Sequence, residues 1–131
     1  MSDSIFTKII KGEIPCFKIY EDDKTFAFLD IYPVQPGHTL VVPKKQVPFV
    51  WDMDDSDYHA VMASVKKIAN KMQQVLGRKY VGIQVVGEDV PHAHVHVIPF
   101  DNVSQFRTLP DRSKEPDNNS LSKTHELLKF N

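Results

Sequence analysis

The feature that most constrains the fold of this chain is a run of three histidines at alternate positions, His92, His94 and His96. Small or β-branched apolar residues separate them, and the run ends at Pro99. Such alternation predicts a β-strand over residues 92–99, because successive strand side chains point to opposite faces of a sheet. The three imidazoles would therefore share one face, and the intervening side chains would face a core.

Three histidines on one strand face are compatible with three interpretations. They could form a solvated polar face opposite a buried one. A His-x-His pair could also present two neutral imidazoles to one Zn²⁺ ion. Finally, imidazole titrates near neutral pH and can attack an electrophile to form a covalent intermediate. The spacing favours nucleophilic or acid–base chemistry, and it leaves the metal site and the polar face open.

Length and charge limit the protein classes that fit this sequence. A chain of 131 residues corresponds to one domain. Its net charge of −1, without a run of basic residues, argues against a general nucleic-acid binder but not against a mononucleotide ligand. The single cysteine, Cys16, excludes an internal disulfide. No segment is apolar enough to span a membrane, and the first residues do not resemble a secretory signal, so we expect a cytoplasmic protein.

The remaining pattern predicts an α+β domain. Short connections between strands favour antiparallel pairing, so we expect a five-stranded antiparallel sheet with one short and one long helix. Residues of about 3–100 would form the core of a single domain spanning 1–131. The polar, proline-containing residues 101–131 predict a loop or a poorly ordered tail, with one or two helical turns at 122–130. The predicted elements are a helix at 4–11, strands at 17–21, 25–30, 38–43, 80–86 and 92–99, and a long helix from the acidic segment 52–55 to Gly77.

The segment His92-Ala93-His94-Val95-His96-Val97-Ile98 resembles the motif of the histidine triad (HIT) family, in which three histidines alternate with apolar residues. Residues 5–15, 26–31 and 36–45 are similar to further blocks of that family, in the same order. The resemblance implies a five-stranded antiparallel sheet, one long helix and a homodimer.

The resemblance is to the nucleoside phosphoramidase branch of the family. It implies a hydrolase that releases AMP from purine nucleoside 5′-phosphoramidates through a phosphohistidine, without a cofactor. Three alternatives stay open: a dinucleoside polyphosphate hydrolase or nucleotidyl transferase of the same superfamily, a nucleotide-binding regulatory protein with little turnover, and a metal-dependent hydrolase that uses the three histidines as ligands.

The same resemblance implies roles for individual residues. His94 matches the nucleophile that attacks the α-phosphorus, with His92 and His96 beside it and His38 as a fourth histidine facing the site. Asp30 matches the carboxylate that holds the ribose hydroxyls, a task for which two acceptor oxygens are suited. The other predicted nucleotide-binding residues are the apolar slot for the base, Ile5, Phe6, Ile9, Phe28 and Ile31, and the turn residues Gly87, Asp89 and Val90.

This sequence departs from the family pattern in two places. Glu88 and Asp89 stand in the turn before the triad. Two carboxylates there would repel a phosphate unless they point away, pair with a cation or select a different substrate. Some family members hold a structural zinc with ligands near the positions of Thr7 and Gln46, and these two residues predict no metal site here.

Overall fold

The computed structural model describes residues 2–131, and its centre is a five-stranded antiparallel sheet with strand order β1-β2-β3-β5-β4. This confirms the predicted sheet. The strands are β1 Lys18–Glu21, β2 Thr25–Leu29, β3 Thr39–Pro43, β4 Tyr80–Gln84 and β5 Val95–Phe100. Every residue of β2 and β3 is buried, as expected for strands that are covered on both faces of a sheet.

The long helix, α2, runs over Asp55–Val75 and covers one face of the sheet. Its first turn is capped by Asp54, whose side chain accepts a hydrogen bond from the backbone N–H of Asp57. The apolar stripe that the sequence predicts forms the contact with the sheet, and Ile68 and Met72 are fully buried within it. Ala93, Val95 and Val97 pack into the same core cluster.

The short helix, α1, spans Ile5–Ile10 and covers the opposite face. Ser4 caps it by accepting a hydrogen bond from the backbone N–H of Thr7. Phe6 points inward to a cluster that includes Phe28 and Leu40. Leu40 is paired in register with Phe28 on one side and with His96 on the other, so the apolar cluster and the histidines share this face.

The predicted strand over residues 92–99 is wrong at its beginning, because β5 starts only at Val95. Residues 92–94 approach the sheet outside the ladder. The backbone N–H of Ala93 donates to the carbonyl of Val47 at 2.7 Å, and that of His92 donates to Val90 at 2.8 Å. These backbone hydrogen bonds, rather than strand pairing, hold the main chain at His92 and Ala93.

Of the prediction for residues 101–131, the helical turns at 122–130 are confirmed, although the helix begins earlier, and the poorly ordered tail is wrong. This region contains a single turn, α3 at Val103–Phe106, and an eleven-residue helix, α4 at Asn118–Leu128. Leu121 and Leu128 are buried in the core that α2 forms with the sheet.

With α3, α4 and a 3-10 turn at Val50–Asp52, the chain has more helices than the two predicted. No helix within residues 2–131 is long and apolar enough to cross a membrane.

Candidate active site

The ring of His94 is fixed in one tautomer by its neighbour in the motif. Its Nδ1 lies 2.7 Å from the backbone carbonyl of His92. A carbonyl oxygen only accepts hydrogen bonds, so Nδ1 carries the proton and Nε2 of the neutral ring keeps a lone pair. Among the described residues, 2–131, this Nε2 is the one buried side-chain nitrogen or oxygen without a hydrogen-bond partner. An oriented, unpaired and desolvated imidazole nitrogen has the properties of a nucleophile.

His96 is oriented by a chain of two hydrogen bonds. The backbone N–H of Val34 donates to His38 Nδ1 at 3.1 Å, so the proton of neutral His38 is on Nε2. That Nε2 lies 2.9 Å from His96 Nδ1 and donates to it, which leaves the proton of His96 on its own Nε2. The rings of His94 and His96 are 5.1 Å apart between centroids. The ring that lies next to His94 therefore carries an N–H donor.

Burial keeps this pair of rings uncharged at neutral pH. Desolvation lowers the pKa of His38 to about 4. Desolvation, with smaller repulsion from His38 and His94, lowers the pKa of His96 to about 4 as well. Both pKa values lie well below 7, so the neutral tautomers assigned above are the states present at physiological pH.

His92 is enclosed by protein groups on both sides. Its Nε2 donates to the carbonyl of Pro43 at 2.7 Å, and its Nδ1 accepts from the Ser4 hydroxyl at 2.8 Å. Burial is the main cause of its lowered pKa. The family resemblance implies that His92 hydrogen-bonds to phosphate oxygens or to the leaving group, but both of its ring nitrogens are bonded to protein groups. Its carbonyl instead orients His94, so His92 is a positioning residue in this structure.

The positions related to the zinc ligands of other family members form a hydrogen-bond network here. The Thr7 hydroxyl donates to Gln46 Oε1 at 2.6 Å, and the backbone N–H of Ser4 donates to the same oxygen at 2.7 Å. Thr7 Oγ1 also lies 3.3 Å from His92 Nδ1. These side chains support the positioning histidine, and neither Thr7 nor Gln46 offers the thiolate or imidazole that structural zinc prefers.

Apart from these positions, one cluster of side chains within residues 2–131 could hold a metal ion. Single ligand atoms of Asp30, His38 and His96 lie within 4.8 Å of one another. In the assigned tautomers, however, His38 Nε2 donates its proton to His96 Nδ1. A metal ion could bind these two rings only after their mutual hydrogen bond was broken.

An apolar cavity of about 310 Å³ opens beside the histidines, between α1 and the sheet. This volume is within the usual range for small-molecule sites. All but one of the predicted nucleotide-binding residues line it: Ile5, Phe6, Ile9, Phe28, Asp30, Ile31, Asp89 and Val90. The exception is Gly87, which forms a turn with φ of +81° and does not line the cavity.

The sequence interpretation missed several residues of this cavity. Ile14, Pro15 and Cys16 follow α1 and extend the apolar lining, and the similarity of residues 5–15 to a family block was the signal for the first two. Arg112 also lines the cavity, and no local pattern identifies it. It lies in the tail that the sequence predicts to be poorly ordered.

Asp30 lies where the apolar cavity meets the histidines. Its Oδ1 accepts from the backbone N–H of Tyr32 at 2.8 Å, and its Oδ2 lies 3.6 Å from His38 Nε2. Burial raises its pKa, and the hydrogen bond from Tyr32 opposes this effect. A carboxylate at this junction is suited to accept hydrogen bonds from hydroxyl groups of a ligand that spans the cavity and the histidines.

Asp89 is paired with a cation, which is one of the three arrangements that the sequence left open. Arg112 Nη2 donates to Asp89 Oδ2 at 3.0 Å. Burial acts to raise the pKa of Asp89, but the hydrogen bonds from Arg112 and its own backbone N–H, with the charge of Arg112, leave that pKa lowered. The other carboxylate oxygen lies 3.5 Å from His94 Nε2. Glu88 is exposed and lines a neighbouring cleft together with His96.

A family profile, related sequences and solved structures all indicate the same protein family. The HIT domain profile matches residues 11–103. Adenosine 5'-monophosphoramidase HNT1 of Candida albicans is 33% identical, covering 95% of this chain and 88% of the relative. Adenylylsulfatase HINT3 of Arabidopsis thaliana is 35% identical, covering 75% of this chain and 52% of the relative. A crystal structure of a Hit-like protein from Bartonella henselae superposes with a TM-score of 0.82 at 30% identity, covering 97% and 95% of the two chains.

Proposed function

Since the chain belongs to the HIT family, in its nucleoside phosphoramidase branch, we propose that it hydrolyses purine nucleoside 5′-phosphoramidates with release of AMP. The observation that carries this proposal is His94, whose Nε2 lone pair is buried, unpaired and fixed in direction. Relatives named as a phosphoramidase and a sulfatase of adenosine derivatives support a hydrolase.

The proposed reaction has two displacements at the α-phosphorus. His94 Nε2 attacks phosphorus, the P–N bond breaks as the amine nitrogen takes a proton from solvent, and a covalent phosphohistidine forms. Water then attacks the same phosphorus, the P–Nε2 bond breaks and AMP leaves. Over the full cycle, water supplies the oxygen that AMP keeps and the proton that the amine takes.

The surrounding residues have separate tasks in this mechanism. His96 Nε2–H, held by the bond from His38, donates to a phosphoryl oxygen and stabilises its developing charge. The apolar cavity receives the purine, against Phe6 and Phe28. Asp30, at the junction of cavity and histidines, accepts hydrogen bonds from the ribose hydroxyls.

The test is AMP release from adenosine 5′-phosphoramidate by the wild type and by His94→Ala, each with and without EDTA. We expect turnover that resists EDTA and disappears in the variant. Loss of turnover with EDTA and its return with Zn²⁺ would refute the nucleophilic mechanism.

A diadenosine polyphosphate serves as a parallel substrate. Turnover of that compound alone would favour a polyphosphate hydrolase, while AMP binding without turnover of either would favour a regulatory protein.

The same proposal includes a homodimer. β4 lies at the edge of the sheet and exposes the apolar side chains of Tyr80 and Ile83, and Val86, two residues beyond the strand, is exposed as well. An exposed apolar edge strand is suited to pair with another chain. Gel filtration of the 15.0 kDa chain at the mass of a dimer would support this assembly, and elution at the monomer mass would refute it.

A further inference from the structure

Arg112 joins the tail of the chain to the nucleophile through one carboxylate. It lies between α3 and α4, and its Nη2 is 3.0 Å from Asp89 Oδ2. The opposite oxygen of Asp89 lies 3.5 Å from His94 Nε2. Asp89 therefore occupies the space between the guanidinium and the nucleophilic nitrogen.

Arg112 also lies at the boundary of two cavities. It lines the apolar cavity that would hold the base, and it lines the adjoining cleft whose walls include His96. Asp30 and Asp89 likewise line both the apolar cavity and the adjoining cleft. A ligand with its base in the first cavity and its phosphorus at His94 would bring its phosphoryl oxygens to this boundary, within the range of the Arg112 side chain.

The contact between Arg112 and Asp89 is one that a phosphoryl group can replace. Carboxylate and phosphate oxygens are both recognised by the planar fork of a guanidinium. The two side chains are 56% and 35% exposed, respectively, and an ion pair with that exposure contributes little to stability because solvent screens it. A phosphoryl group next to His94 would also repel the Asp89 carboxylate. The weakness of the ion pair and this repulsion both favour replacement of the Asp89 carboxylate by the phosphoryl group at Arg112.

We propose that Arg112 is a substrate-binding residue that releases Asp89 and binds the phosphoryl group of the nucleotide. The proposal rests on the function proposed above for the site around His94. In this exchange Asp89 competes with the phosphoryl group for Arg112. The positive charge of Arg112 allows an anionic substrate to bind next to the two carboxylates of the turn, Glu88 and Asp89. The tail beyond α3 is then part of the binding site.

The test compares the binding of AMP with that of adenosine by isothermal titration calorimetry. In Arg112→Gln, we expect AMP to bind at least tenfold more weakly while the affinity for adenosine changes less than twofold. Arg112→Lys should lie between the wild type and Arg112→Gln for AMP, because it keeps the charge and loses the fork. Asp89→Asn should bind AMP several-fold more tightly than the wild type, because the competing charge is gone.

Lys114→Gln is the matched control, since it removes one positive charge from the same segment. Lys114 is 83% exposed at its side chain and lines neither cavity. Unchanged AMP affinity in Arg112→Gln, or an equal loss for AMP and adenosine, would overturn the proposal, as would weaker AMP binding in Asp89→Asn. Calorimetry needs no turnover, so the loss of AMP affinity can be observed even if the proposed hydrolysis fails. Conversely, hydrolysis that depends on His94 but not on Arg112 would refute this inference alone.

Discussion

Truncation of Leu128 tests whether the tail is part of the folded domain. Leu128 is 0% exposed and belongs to the core cluster that contains Ile68 and Met72 of α2. Leucine-to-alanine changes at such sites cost about 2–5 kcal/mol, from lost burial and from the cavity left behind. A domain of this size has a free energy of unfolding of about 5–15 kcal/mol, so Leu128→Ala should fold but be clearly destabilised.

Urea unfolding measures this change, with Leu127→Ala as the matched control. Leu127 is the adjacent residue of α4 and is 54% exposed, so its truncation should change stability by no more than about 0.5 kcal/mol. With an m-value of about 2 kcal/mol/M, Leu128→Ala should lower the urea midpoint by roughly 1–2.5 M. Equal midpoints for the two variants would refute the docking of α4 on the core.

Two further predictions concern the histidine pair and the ribose site. The pKa values of His38 and His96 are lowered to about 4 from 6.5, so the unfolded state binds more protons between these pH values. Their contribution to stability is therefore fully present above pH 6.5 and is lost as the pH falls towards 4. Urea unfolding of His38→Gln should depend less on pH in this window than the wild type, and an equal dependence would contradict the assignment. Asp30→Ala should lower kcat/KM for adenosine 5′-phosphoramidate by about 10–100-fold, the value of a charged hydrogen bond, while the 2′-deoxy substrate loses less. Equal losses for the two substrates would contradict ribose binding by Asp30.

Local sequence patterns were sufficient to predict the sheet, whereas the choice of His94 as the candidate nucleophile came from the resemblance to the HIT family. The alternation around His96 and the apolar runs of β2 and β3 predict strands there, and the register of the structure places Phe28, Leu40 and His96 on one face. The stripe of α2 likewise needs only a period near 3.6. Periodicity is a property of neighbouring residues, so it can be read without knowledge of the fold.

The docking of α4, the position of Arg112 and the direction of the His92 ring depend on contacts between distant segments, which no local pattern encodes. α4 has only a few apolar residues, and the contacts that hold it come from β1 and α2. Phe130, for example, donates its backbone N–H to the carbonyl of Ile19. Arg112 meets Asp89 across 23 positions. The direction of the His92 ring depends on the carbonyl of Pro43, which is 49 positions away.

The stereochemical course at phosphorus distinguishes a phosphohistidine at His94 from direct attack by water. The substrate is adenosine 5′-phosphoramidate with an isotopically chiral α-phosphorus, and the configuration of the AMP produced is determined. Attack by His94 followed by attack of water consists of two displacements, so we expect the configuration at phosphorus to be retained. Inversion would show a single displacement by water, and the phosphohistidine at His94 would be excluded.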